Sequence, residues 1–240
     1  MPVCLPGMCK ADQRQGLQRR VALRTNHEMR GPAHKQPSYV ALLNVMKRVF
    51  GLHLYAVQVS SSDSGGEMPR LPREIEVRIL SPDEIRSYVG RAGLDFRQAS
   101  VEKALARGDV CVAAFKANEL VSYNWRAVRG PVPHTPNWEV IWEPGLVYRY
   151  KALTLPDYRG LHINEALAKT IDRHLATQGY VMGLSFVECT NLSSMRTLKR
   201  KGRIRVGYAG YFQRFGVFVP FRTVGCRAYG FAFRRHTDHL

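Results

Sequence analysis

Residues 147–202 constrain the fold more than any other stretch, because they read as strand, turn, helix, strand, helix in unbroken order. An apolar, aromatic-rich run from Leu146 to Leu155 stops at Pro156, and the short basic turn Tyr158-Arg159-Gly160-Leu161-His162 follows. A helical pattern starts near Asn164 and ends at Gly179. A second apolar run, Tyr180 to Val187, leads through Asn191 to another helical pattern that stops at Gly202. Two strand-length runs joined through a helix predict a parallel pair with a crossover connection. The turn leaves amide donors aimed out of the helix N-terminus, and with the helix dipole they form a ready anion site.

This stretch resembles the GCN5-related N-acetyltransferase (GNAT) family. In that family, strand four runs into a Pro-x-Tyr-Arg-Gly turn with the signature Gln/Arg-x-x-Gly-x-Gly/Ala. The next helix receives the pyrophosphate of acetyl-CoA, and an Asn follows strand five. The matching residues are Pro156, Tyr158, Arg159 and Gly160, then Ala166, Leu167 and Ile171, then Gly179, Asn191 and Gly202. His162 and Asn164 stand where the two later signature glycines would be. Leu198 stands where the family carries a Tyr that protonates the leaving thiol, and Arg203 where a Phe is usual.

The resemblance implies an α/β (α+β) fold with a mixed central sheet of about six or seven strands flanked by helices. It implies acetyl-CoA or another acyl-CoA as co-substrate, and acyl transfer to an amine on a small molecule or a protein. Arg159, Gly160, Leu161, His162, Ile163 and Asn164 would then hold the diphosphate. Leu153, Thr154 and Leu155 would lend backbone donors to the pantetheine arm between two splayed strands, with Asn191 near the arm. Asn tolerates left-handed backbone and caps helices, so Asn164 is expected at the N-cap. His162 adds bulk, and when protonated it can pair with a phosphate. A base is needed for the amine proton. Tyr148, at a position where some members of the family carry a catalytic Glu, and Glu188, just before Asn191, are the candidates, and a water chain could replace either. For each the plainer reading, a packed aromatic and a solvated or salt-bridged strand end, weighs more. Cys189 ranks below both as an acylated nucleophile, because no His stands at motif spacing.

The rest of the chain divides around this stretch. Residues 1–38 are expected to be a disordered basic leader, and 39–73 a helix, a strand and a linker, with an acyltransferase domain over 74–240. The helical face of residues 39–50 is read as docking on its own domain, with Leu52 to Val59 as a strand. Because the family-like part starts near Glu74, Met68 is a candidate initiator. Ile75, Val77 and Ile79 alternate as a first strand, and Ser81-Pro82-Asp83-Glu84 starts a helix. Leu94 to Arg107 reads as a second helix. Val110 to Phe115 and Leu120 to Val128 form a hairpin, and residues 130–138 are read as an irregular Pro-rich loop. In the tail, Val217 to Val219 and Ala228 to Phe233 are read as the last two strands. The aromatics there are read as core rather than base-stacking residues.

Charge decides which partners are expected. The chain carries 36 Lys or Arg against 19 Asp or Glu, a net +17, and residues 191–240 hold eleven basic residues and one acid, Asp238. Such an excess attracts CoA phosphates, nucleic acid, anionic lipid or an acidic carrier. Two further readings therefore stand beside the first: an acyltransferase that takes its acyl group from acyl carrier protein, and an inactive domain that binds nucleic acid. The five cysteines show no metal or disulfide spacing, so no metal is expected and a reducing, cytoplasmic setting fits. No signal-peptide pattern opens the chain, and no apolar run reaches the roughly 18 residues of a membrane span.

Overall fold

The computed structural model describes residues 37–61, 67–135, 138–200 and 202–236. Of the expected leader, only its last two residues fall among them, and these open a helix. In chain order the elements are α1 (Pro37–Phe50), β1 (Leu52–Ser61), β2 (Ile75–Ile79), α2 (Pro82–Ser87), α3 (Gln98–Arg107), β3 (Val110–Lys116), β4 (Glu119–Ala127), β5 (Val132–Thr135) and β6 (Trp138–Ile141). Then come β7 (Val147–Thr154), a 3-10 turn (Pro156–Tyr158), α4 (Ile163–Thr177), β8 (Met182–Glu188), α5 (Leu192–Arg200), β9 (Ile204–Arg214), β10 (Val217–Arg222), α6 (Val224–Arg227) and β11 (Ala232–Arg235).

The architecture is α+β: a large mixed sheet flanked by helices. Its eight strands run in the order β10-β9-β1-β8-β7-β4-β3-β2, and β11-β6-β5 form a second, three-stranded sheet. Local chemistry places most elements. Ser81 and Glu84 form a reciprocal capping box at α2, with Pro82 in its first turn. Ala117 and Asn118 adopt positive φ in the two-residue turn between β3 and β4, which suits the twist of a tight hairpin. Along β3, Cys111, Ala113 and Phe115 face a core under α2 and α3, while Val112 and Ala114 face a core under α4. Both faces are covered, so the strand is an unbroken apolar run.

Five sequence readings change. Residues 39–73 are not merely an extension, because β1 lies inside the sheet, antiparallel to β8 on one side and β9 on the other. Ala56, Val57 and Val59 on it are fully buried. The described part of the stretch 130–138 is not irregular: β5 occupies the edge of the small sheet, where Pro133 leaves no essential ladder bond unmade. β11 pairs with β6 in the small sheet, so it does not follow β10 in the large one. The small sheet packs an aromatic core, with Trp138, Tyr211, Phe231 and Phe233 all nearly inaccessible, against the large one. Leu94 to Arg97 also stay outside helix α3, whose N-cap Arg97 makes no side-chain cap. The large sheet has eight strands where about six or seven were expected.

The β1–β9 pairing leaves no room at Gly210. A Cβ there would fall on the carbonyl oxygen of His53 and the ring of Phe221. Gly210→Ala is therefore expected to cost about 1–3 kcal/mol by overpacking. Chemical denaturation measures this, and an unchanged midpoint would argue against this register.

Candidate active site

The decisive geometry lies between β7 and β8. These strands are parallel, but they pair only where Val147 meets Gly183 and Tyr148 meets Leu184. Beyond that point they diverge. A cavity of about 330 Å³ fills the gap, roofed by α4 and α5 through Asn164, Ala168, Ser194 and Leu198. Strand pairing accounts for the opening: β7 continues to pair with β4 as far as Thr154, while β8 continues with β1, so each strand follows its other neighbour.

At the mouth of this gap, α4 begins. Gly160 and the N-cap His162 both have positive φ, at 81° and 57°, and such a turn frees the chain to reverse into the helix. The amides of Gly160 to Asn164 have no acceptor among the described residues. They form the donor cluster expected of an anion site at a helix N-terminus. His162 does not plug it. Its imidazole is 69% exposed and lies 3.5 Å from Glu165 Oε2. Asn164 is not the cap; it sits second in the helix, and its Oδ1 accepts from Asn124 Nδ2 at 2.6 Å.

Other expected site residues are placed as follows. The Thr154 hydroxyl lies 2.8 Å from Ser122 Oγ on β4, and the Leu155 amide is spent on the Val121 carbonyl at 3.0 Å. Strand alternation sends the Leu153 amide the same way as that of Leu155, and the Leu153 carbonyl accepts from Ser122 Oγ on β4. The gap-facing amides are thus those of Ala152 and Thr154. Arg159 folds back, its Nε donating to the Thr154 carbonyl at 3.2 Å. Leu161 is exposed and Ile163 is buried under α4. Asn191 caps α5 by accepting from the Ser194 amide at 3.1 Å, so its side chain is committed there.

Neither candidate base reaches the gap. Tyr148 is 1% exposed on the aromatic face, its hydroxyl 2.5 Å from His134 Nε2. Burial raises its pKa well above the usual phenol value, so it keeps its proton. Burial pulls His134 down to about 4, leaving it neutral. Glu188 points to α1, where Lys47 Nζ lies 2.7 Å away. Cys189 is buried, and burial raises its thiol to about 11, which removes it as a nucleophile at neutral pH. Leu198 lines the cavity wall, so that position has no proton to give. No group of His, Cys, Asp and Glu suited to a metal exists among the described residues.

What sequence reasoning missed is charged. Arg126 of β4 and Arg149 of β7 flank Asp172 of α4: Arg126 Nε is 3.1 Å from Oδ1, and Arg149 Nη2 is 2.9 Å from Oδ2. These side chains are 2%, 7% and 12% exposed. Arg149 crosses β8 over Gly183, where any Cβ would strike its guanidinium, and it also donates to Ser60 Oγ on β1. Arg203 donates to Ser185 Oγ at 2.7 Å. The visible signal was a basic residue inside each of two apolar runs, but nothing local joins them to residues 172 and 203.

No protein-family model matches the chain, and no curated protein matches it. Solved structures resemble it at low identity. A Drosophila protein is 18% identical, with a TM-score of 0.44, over 70% of this chain and 53% of its own. A GCN5-related N-acetyltransferase from Sphaerobacter thermophilus is 14% identical, with a TM-score of 0.48, over 83% of this chain and 57% of its own. An aminoglycoside N-acetyltransferase in complex with CoA is 16% identical, with a TM-score of 0.40, over 52% of this chain and 88% of its own. The chain thus spans only 53% and 57% of the first two. Likenesses of this depth decide neither family nor activity.

Proposed function

We propose that the chain is an N-acyltransferase of the GNAT type, taking its acyl group from acetyl-CoA or another acyl-CoA and passing it to an amine. The observation that carries this reading is the divergence of β7 from β8 directly below the open amides of Gly160 to Asn164. The amides and the dipole of α4 suit a diphosphate. The gap suits an extended arm, with the backbone donors of Ala152 and Thr154 at its side. Those donors would also stabilise the oxyanion that forms when the amine nitrogen attacks the thioester carbonyl. The C–N bond forms, the C–S bond breaks, and the amine proton passes to the departing sulfur through water. No side chain in the gap is marked as a base, so water carries that proton. The basic surface would draw a polyanionic co-substrate toward the mouth. Among the described residues no helix is long and apolar enough to cross a membrane.

His162 separates this reading from a structural role for the turn. His162→Asp keeps a residue that tolerates positive φ and places a negative charge at a helix N-terminus, so the apo stability should change by less than about 0.5 kcal/mol. The same charge faces the diphosphate, and CoA affinity should drop about tenfold. Thermal melting and calorimetric titration read the two effects. Unchanged CoA affinity would count against the diphosphate lying there.

A further inference from the structure

We propose that the inner end of the gap is a carboxylate-binding subsite, and that the donor's acyl group itself ends in a carboxylate. This rests on reading the gap as a CoA thioester site. The cavity is lined by Arg126, Arg149 and Arg203, and by no Asp or Glu among the described residues; Lys151 also borders it, but its Nζ is paired with Asp95 Oδ2 at 3.1 Å. Among the described residues, Asp172, reached by Arg126 and Arg149, is the one carboxylate against this guanidinium cluster. Among the described residues, Arg203 is partnered only by the neutral hydroxyl of Ser185. The Arg149 Nε is buried and has no hydrogen-bond partner among the described residues. Buried cations in excess of their counter-charges are costly, and an unmade hydrogen bond on one of them adds to the cost. Burial first, then repulsion from Arg149, lowers the Arg203 pKa to about 9, yet it stays protonated at neutral pH. A ligand carboxylate would relieve the charge excess.

The position selects which part of the ligand brings that charge. Asp172 lies nine residues beyond Ile163 on α4, and nine residues of helix rise roughly 14 Å. A diphosphate on the amides at the start of α4 would send its uncharged arm along this distance. The acyl group arrives at the guanidinium cluster. An acetyl group offers these arginines nothing ionic, whereas the far carboxylate of a dicarboxylic half-thioester meets them in bidentate geometry.

Calorimetric titration of the full chain with CoA, acetyl-CoA and succinyl-CoA tests this. Succinyl-CoA is expected to bind about 10- to 100-fold more tightly than acetyl-CoA, the scale of one or two charge-assisted hydrogen bonds. Arg203→Met should erase most of that preference, and Arg203→Lys should keep part of it. If CoA binds but acetyl-CoA and succinyl-CoA bind alike, the subsite is wrong and the CoA reading survives. If no thioester binds, both fall. If free succinate stabilises the protein through Arg203 while the succinyl thioester gains nothing, the carboxylate belongs to the acceptor, and the donor assignment is overturned.

Discussion

A chain that starts at Met68 is expected to be insoluble, or soluble but protease-sensitive and without a cooperative melt. Such a chain lacks β1, and β1 is not a peripheral strand. It pairs along seven positions with β8 and along eight with β9. Its removal leaves both neighbours as open apolar edges, the geometry that templates aggregation. Val57 and Val59 are fully buried, and burial of each such side chain contributes about 1.5–3 kcal/mol. Two lost ladders and these side chains together rival the roughly 5–15 kcal/mol that holds a domain folded. Expression of residues 68–240, followed by limited proteolysis and circular dichroism, makes the measurement. A soluble product with a sharp thermal transition would mean that β8 and β9 close on each other without β1, contrary to the sheet order described.

Asp172→Asn is expected to be the most damaging single substitution near the gap, at about 3–5 kcal/mol. Asp172 joins Arg126 and Arg149, and through Arg126 and Asn124 it is linked to Asn164 at the start of α4. Amide for carboxylate keeps the shape and removes the charge, so the loss reports the unpaired guanidinium groups rather than a cavity. Two consequences separate this from ordinary core damage. Adding Arg126→Met should recover part of the loss, because one uncompensated buried cation disappears with it. Sulfate should stabilise the Asp172→Asn protein more than the parent, because an anion can replace the missing charge. Urea unfolding across these variants decides the matter. A loss below about 1 kcal/mol, or no recovery in the double variant, would show that the ion pairs contribute little.

Sequence alone carried the unit from β7 to α5 well, because its apolar runs are long and Pro156, Gly160, Gly179 and Gly202 punctuate them. The backbone role of the turn was legible for the same reason: positive φ at Gly160 and an open helix start are local events. The place of β1 was not legible. Its alternation marks a strand, but only pairing with residues 182–188 and 204–212 makes it central. Pro133 suggested irregular chain, since a sequence does not state which strand will lie at an edge. Tyr148 and Glu188 take the plainer roles that outweighed catalysis in the sequence, one packed in the aromatic core and one held by Lys47. Side-chain direction misled at Asn191, which is consumed in capping α5. The arginines of the gap were hidden because residues 126, 149, 172 and 203 meet only through the sheet and its covering helices.

The most direct measurement is a titration of the isotope-labelled full chain with CoA, followed by backbone amide resonances. The amides of Gly160, Leu161, His162, Ile163 and Asn164 are expected to shift most, together with those of Ala152 and Thr154 on β7. Saturable shifts there would place the diphosphate on the start of α4 and the arm in the gap. Shifts confined to exposed basic residues that vanish with added salt, while residues 160–164 stay still, would contradict it.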